Sequence, residues 1–361
     1  MNERPEKPQP ISVLVTDDSA FMRTALTRMI DSDPSMRVSS TAQTGQEALE
    51  KIAALQPDVV TLDVEMPGLN GLETLRRIMK DFPRPVLMVS SLTQEGANTT
   101  LEALSIGAFD VVAKQQSFVS LDIVKIRDEL VAKIKAAAES RRRKRTIAPS
   151  PAPPAAVRPA APTAHAPAAV VALGTSTGGP KALQEILPLL PADLPVAVLV
   201  VQHMPKGFTG PFAHRLDNLC QVSVREAAHD EPIEPGIVYI APAGQHMTVA
   251  RRTSGKGVVR LSDLPNGMAH RPSVDVMMLS VAEAYRALCL GVILTGMGAD
   301  GLQGMRAISK AGGLTVGQDE ASCAVYGMPR SCAEAGVLQR VLPLTLIPEH
   351  ILSATGYHKR S

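Results

Sequence analysis

Between residues 11 and 114 the chain alternates two kinds of apolar pattern. Short uninterrupted runs (ISVLVTDD, MRVSSTA, DVVTLDVEMPG, PVLMVSS, DVVAK) are separated by stretches whose apolar positions recur every three or four residues, such as RTALTRMIDSD, GQEALEKIAALQ and GLETLRRIMKDF. An apolar run with no polar alternation suits a strand covered on both faces, and the longer period suits an amphipathic helix. Five such units predict a (βα) repeat closing into a parallel, doubly wound sheet. The same grammar returns after residue 168 in AAVVALG, VAVLVVQH, GIVYIAP, HMTVA, GVVRLSD and CLGVILTG, spaced by PKALQEILPLL and SVDVMMLSVAEAYRAL. A second α/β unit is expected there, with an antiparallel insertion near 236 to 262.

The two patterned regions are joined by APSPAPPAAVRPAAPTAHAPA (148–168), where proline removes backbone donors and small side chains offer little to bury. The preceding KIKAAAESRRRKR reads as a helix running out into solvent. The division expected is therefore a first unit over 11–135, a proline- and alanine-rich linker with a basic run over 136–168, and a second unit over 169–356. The chain's 361 residues agree with two domains at ~100–200 residues each.

Composition changes this picture little. With 45% hydrophobic and 20% charged residues the chain reads as globular, and a net charge of +2 gives no basic face for nucleic acid. The densest cationic cluster, RRRKR at 141–145, falls in the tether, which argues against a DNA-binding output domain. Cys220, Cys289, Cys323 and Cys332 form no CxxC pair, nothing at the N-terminus resembles a signal peptide, and no apolar run approaches the ~20 residues of a membrane span. A cytoplasmic chain with reduced thiols and no direct membrane insertion is expected.

Asp17 and Asp18 follow the first apolar run, Asp63 ends the third, Ser90 ends the fourth and Lys114 the fifth. In an open parallel sheet these positions share one rim, beyond the strands' carboxyl ends. Two ionised carboxylates ~4 Å apart repel by ~4 kcal/mol at an effective dielectric of 20, so three together call for a divalent cation, and oxygen ligands point to magnesium. Taken singly, each aspartate also reads as a strand end or helix cap, a role open to Asp18 or Ser19 in DDSAFMRTAL. The five positions in order resemble a response-regulator receiver domain. That resemblance implies a flavodoxin-like sheet, magnesium at Asp17, Asp18 and Asp63, an acyl phosphate on Asp63, contacts to the phosphoryl group from Ser90 and Lys114, and a histidine kinase as phosphodonor. Two positions depart from the family: Gln115 stands where proline usually follows the lysine, and Val111 stands where an aromatic switch residue usually lies.

In the second unit GTSTG (174–178) fits the G-x-S-x-G pattern between a strand and a helix, which makes Ser176 a candidate nucleophile. A phosphate loop would need lysine and serine or threonine directly after the glycine, yet Pro180 intervenes and Ala182 follows Lys181. A dinucleotide loop would need glycine where Ser176 stands. A serine needs a base. His203 ends a strand expected to neighbour that of Ser176, with His246 and His270 as alternatives. Asp300, at the exit of GVILTGMGAD, could orient the base or cap the helix GLQGMRAISK. The order Ser, His, Asp differs from that of α/β-hydrolases.

Read in order, GTSTGGP, QHMPKGFT, YIAPAGQHM, HRPSVDVMM and LTGMGADG behind a receiver and linker closely resemble the chemotaxis protein-glutamate methylesterases. The resemblance implies Ser176 as nucleophile, His203 as base, Asp300 as orienter, the Met297 amide as an oxyanion donor, and no cofactor for the esterase. Its substrates would be methylated glutamates, and certain glutamines, of chemoreceptors. It also implies a receiver that inhibits until phosphorylated. A tether of ~20 residues would hold the receiver at high effective concentration near the esterase.

Overall fold

The structure, a computed structural model, describes residues 9–91, 94–114, 120–146, 166–252 and 255–357. Gln115 and most of the expected linker lie outside the described residues. The chain divides into two compact units, residues 1–150 and 151–361.

The first unit runs β1 (Ile11–Thr16), α1 (Ala20–Asp31), β2 (Met36–Ala42), α2 (Gly45–Leu55), β3 (Val59–Asp63), α3 (Gly71–Asp81), β4 (Val86–Ser91), α4 (Gln94–Ile106), β5 (Asp110–Lys114) and α5 (Ser120–Thr146). The five strands are all parallel, in the order β2-β1-β3-β4-β5. Strand β3 is buried along its whole length, as an apolar run sandwiched between helices must be. Helices α1, α2 and α3 begin where Ser19, Thr44 and Asn70 accept a first-turn amide, so the turns carry their own start signals. Helix α5 continues to Thr146. Its Leu130, Ile134, Ala137 and Ala138 are buried in the same core as Ile11 and Val13. Beyond them Arg141 Nη1 donates to Pro57 O at 2.6 Å, so the start of the basic run is tied to the first unit.

The second unit runs β6 (Val170–Thr175), α6 (Gly179–Ile186), β7 (Ala197–Gln202), α7 (Thr209–Asp217), β8 (Ser223–Glu226), β9 (Ile237–Ile240), β10 (His246–Arg251), β11 (Gly257–Ser262), α8 (Val274–Tyr285), β12 (Cys289–Ile293), α9 (Leu302–Lys310), β13 (Leu314–Gln318), α10 (Met328–Glu334), β14 (Arg340–Leu342) and α11 (Ile347–Ala354). Seven strands form one parallel sheet, β14-β13-β12-β6-β7-β9-β8. The antiparallel insertion is narrower than 236 to 262. Among the described strands only β10 and β11 pair that way, with one further antiparallel bridge from Pro232 to Val258, while β9 joins the main sheet parallel to β7 and β8. The reason is burial: Val238, Tyr239 and Ile240 are fully buried and so sit inside the parallel core. Strands β8 and β14 escape the apolar pattern because they are short, largely exposed edges. No helix among the described residues is long and apolar enough to cross a membrane.

Candidate active sites

Beyond the carboxyl ends of β1, β3 and β5, the first unit gathers an acidic cluster. Carboxylate oxygens of Asp17, Asp18 and Asp63 lie within 4.8 Å of one another, the first and third buried and the second exposed. Lys114 Nζ is shared between them, 2.9 Å from Asp17 Oδ2 and 2.7 Å from Asp63 Oδ2. Asp63 also accepts the Glu65 amide at 3.3 Å. Burial pushes its pKa up to about 6, with Asp17 adding to the rise and Lys114 opposing it. Burial likewise works against the Lys114 charge, but its two carboxylate partners prevail and raise its pKa. The buried Ser90 hydroxyl donates to Gly96 O at 3.3 Å across the turn into α4. Val111 is buried in β5, and its carbonyl accepts Lys133 Nζ at 2.5 Å. A cleft beside the cluster is lined by Asp18, Val64, Met66 and Asn70, so the exposed member opens to solvent.

In the second unit, Ser176 is the first residue beyond β6. Its amide donates to Thr295 O at 3.1 Å, and Thr175 Oγ1 reaches the same carbonyl at 2.8 Å, which welds the serine turn to the end of β12. The left-handed backbone of this turn falls on Gly178 (φ +80°), and the serine itself is free of positive φ. A side chain at Gly178 would meet Ala324 Cβ at 2.5 Å, so both conformation and space call for glycine. Gly296, just before Met297, packs so closely on Ser176 that an added Cβ would lie 2.9 Å from the serine Cβ. Met297 thus follows the backbone segment that abuts the serine.

His203 stands next to Ser176 because β6 and β7 pair in parallel with Thr175 opposite Gln202, and the His203 amide donates to Thr175 O at 3.2 Å. The buried Gln202 ties the two together: its Nε2 donates to Ser176 O and to His203 O, both at 2.9 Å. His203 Nε2 lies 2.9 Å from Asp300 Oδ2, while its buried Nδ1 has no hydrogen-bond partner among the described residues. Asp300 also accepts Ser273 Oγ at 2.9 Å, the Val274 amide at 2.8 Å and the Asp275 amide at 2.9 Å. It therefore serves the start of α8; its own helix α9 is served by Asp275, which accepts the Gly304 amide at 2.8 Å. Burial alone would raise the Asp300 pKa, but the hydrogen bond and charge of His203, with the amides of Asp275 and Val274, hold it down at about 2.

The alternative bases stand elsewhere. His246 is fully buried, and its Nδ1 accepts the Ser273 amide at 3.2 Å. Burial, then the nearby Arg271, lowers its pKa, so it is a neutral strut beneath the segment that binds Asp300. His270 is exposed and stacks on His203, ring centroids 4.0 Å apart and planes inclined by 20°.

Two family models match this chain. The one described as "Response regulator receiver domain" covers residues 13–123 and the one described as "CheB methylesterase" covers residues 171–351. The chain is 49% identical over 366 residues to the protein-glutamate methylesterase/protein-glutamine glutaminase of Symbiobacterium thermophilum, covering 99% of each protein. This chain belongs to the CheB protein-glutamate methylesterase/protein-glutamine glutaminase family. A second relative, protein-glutamate methylesterase/protein-glutamine glutaminase 2 of Nitratidesulfovibrio vulgaris, is 48% identical over 363 residues, covering 92% of this chain and 96% of that one. The crystal structure of the Thermotoga maritima CheB methylesterase catalytic domain is similar at a TM-score of 0.51 and 40% identity, covering 52% of this chain and 99% of that one.

Within this CheB-family chain, motif reading named His203 and Asp300, which meet at 2.9 Å, and Ser176 on the neighbouring strand end, but missed the groups that hold them. Ser273 and Asp275 lie in HRPSVD, where SVD before an apolar run signals a helix start yet gives no hint that the acceptor is Asp300. Gln202 sits directly before His203, and no spacing rule distinguishes it from any polar residue ending a strand.

Proposed function

We propose that this chain hydrolyses methyl esters on glutamates of chemotaxis receptors, and deamidates receptor glutamines, through Ser176, His203 and Asp300 in a catalytic unit spanning 169–356. The observation that carries the reading is the His203–Asp300 pair, 2.9 Å apart, at the strand edge where the Ser176 turn lies. With Nε2–H donated to the Asp300 anion, Nδ1 is the basic nitrogen left for the serine proton. Ser176 Oγ then attacks the ester carbonyl carbon, His203 takes the proton, and the tetrahedral oxyanion is met by backbone amides, that of Met297 among them. Collapse breaks the C–O bond, and His203 returns its proton to the departing methanol. Water attacks the acyl-enzyme by the same relay, releasing glutamate and restoring Ser176. A glutamine side chain follows the same steps, with ammonia leaving.

The receiver unit regulates this activity. Asp63 is the acceptor: its carboxylate oxygen attacks the phosphorus of a phosphohistidine on a cytoplasmic histidine kinase. The P–N bond breaks with its electron pair leaving on the histidine nitrogen, which takes up a proton, and Lys114 balances the charge that arrives. Asp17, Asp18 and Asp63 form an all-oxygen, partly buried donor set that fits a hard divalent cation, so they would hold magnesium. The chemistry such an ion would supply there is neutralisation of phosphoryl-oxygen charge. Ser90 and Lys114 contact the phosphoryl group once formed, and Val111 leaves the relay without an aromatic rotamer switch.

The test is methanol release from methylated receptor, with labelling of Ser176 by a fluorophosphonate. Wild type releases methanol and labels; Ser176→Ala does neither. Comparing unphosphorylated protein, protein with phosphodonor and magnesium, and a fragment beginning near Ala168 tests the regulation. The last two are expected to exceed the first, and a fragment no faster than the unphosphorylated protein contradicts simple inhibition by the receiver.

A further inference from the structure

We infer that His270 is a positioning residue of the esterase site, which holds the His203 imidazole by its face while Asp300 holds it by its edge. The inference rests on His203 being the base. One hydrogen bond at Nε2 leaves an imidazole free to pivot about that contact, and the pivot carries Nδ1 away from the serine. A ring stacked at a 4.0 Å centroid separation and 20° inclination blocks it.

The same short segment grips both members of the pair. Residue 270 meets the face of His203, while Ser273 Oγ and the amides of Val274 and Asp275, three to five positions on, take three of the hydrogen bonds to Asp300. The segment is pinned below: the Gly244 amide donates to Arg271 O at 2.9 Å, and the Ser273 amide donates to the buried His246. Ring and carboxylate are therefore referenced to one piece of backbone, and their relative placement survives small movements of the strands that carry them. His270 itself is exposed, so replacing it removes little buried surface and leaves folding intact.

The experiment compares full-length wild type, His270→Ala, His270→Phe and His203→Ala for kcat and KM of methanol release and for the rate of Ser176 labelling by a fluorophosphonate. Phenylalanine keeps a stacking ring and removes the imidazole nitrogens. Loss of orientation in His270→Ala is expected to lower kcat by ~10- to 100-fold with KM little changed, and to slow labelling in parallel. His270→Phe is expected to recover kcat to within about threefold of wild type, since the ring face is restored. Wild-type kcat in His270→Ala, a change confined to KM, or a His270→Phe protein as slow as His270→Ala would each overturn the positioning role. Activity persisting in His203→Ala would instead overturn the assignment of the base, so the two failures are distinguishable.

Discussion

Asp63 and Asp300 both lie at the carboxyl-end rim of a parallel sheet, Asp63 as the last residue of β3 and Asp300 in the loop after β12, and both are mostly buried, with side chains 3% and 12% exposed. Their acidities are driven in opposite directions. Asp63 rises to about 6 because burial outweighs a lysine that it shares with Asp17 and a single long amide contact. Asp300 falls to about 2 although burial again is its largest single influence, because a histidine, a hydroxyl and two first-turn amides of α8 converge on it. Donor supply, more than burial, decides what a strand-end carboxylate does. The under-supplied one is driven towards its neutral form, and the saturated one is held as an anion against His203, the difference that the proposed phosphoacceptor and orienting roles would use.

The largest expected effects bear on the esterase half. Ser176→Ala and His203→Ala should each lower kcat for methanol release by at least ~10³-fold, and the double variant should be little worse than Ser176→Ala, because triad members act as a unit. Losses that add on a logarithmic scale would separate the two residues. On the receiver half, Asp17→Ala or Asp18→Ala should raise the magnesium concentration giving half-maximal phosphate incorporation by about tenfold or more, leaving methanol release by unphosphorylated protein unchanged.

Acidity itself gives a smaller effect. Asp300 has a folded pKa below its unfolded one, so its contribution to stability is present above about pH 4 and is lost as pH falls towards 2. It amounts to ~2 kcal/mol in all, so the unfolding free energies of wild type and Asp300→Asn should converge by roughly that much between pH 5 and pH 2. A constant gap would mean that Asp300 is not held down. Smallest is the reciprocal cap: Asp275→Ala removes the acceptor of the Gly304 amide and should cost about 1 kcal/mol in denaturant unfolding, with Asp275→Asn close to wild type.

The sequence made the two halves legible to different depths. Apolar runs located all five strands of the first sheet and β6, β7, β9 and β12 of the second, but missed the internal strand β13, whose short LTVGQ carries threonine, glycine and glutamine among its apolar positions. The residues at or just past the strand ends named Asp17, Asp63, Lys114, Ser176 and His203, because side chains there gather on one rim of a parallel sheet. Asp300 was legible only through a glycine-rich exit whose alternative, a cap for α9, was equally consistent with spacing. The structure assigns its carboxylate to α8, a choice that local sequence does not carry because the partners are 25 to 27 residues away. Gln202, Ser273 and Asp275 escaped for the same reason. His246 looked like a base as the first residue of a strand, and burial beneath Ser273 makes it a support.

The most direct measurement of the division of labour assays Asp63→Asn and Asp300→Asn side by side for phosphate incorporation from a small phosphodonor with magnesium and for methanol release from methylated receptor. Asp63→Asn is expected to incorporate no phosphate while keeping the methanol release of the unphosphorylated wild type, since an amide cannot form the acyl phosphate. Asp300→Asn is expected to incorporate phosphate normally while losing methanol release by ~10²- to 10⁴-fold, since the base loses its anionic partner. Phosphate incorporation persisting at the wild-type level in Asp63→Asn, or wild-type methanol release in Asp300→Asn, would contradict the account.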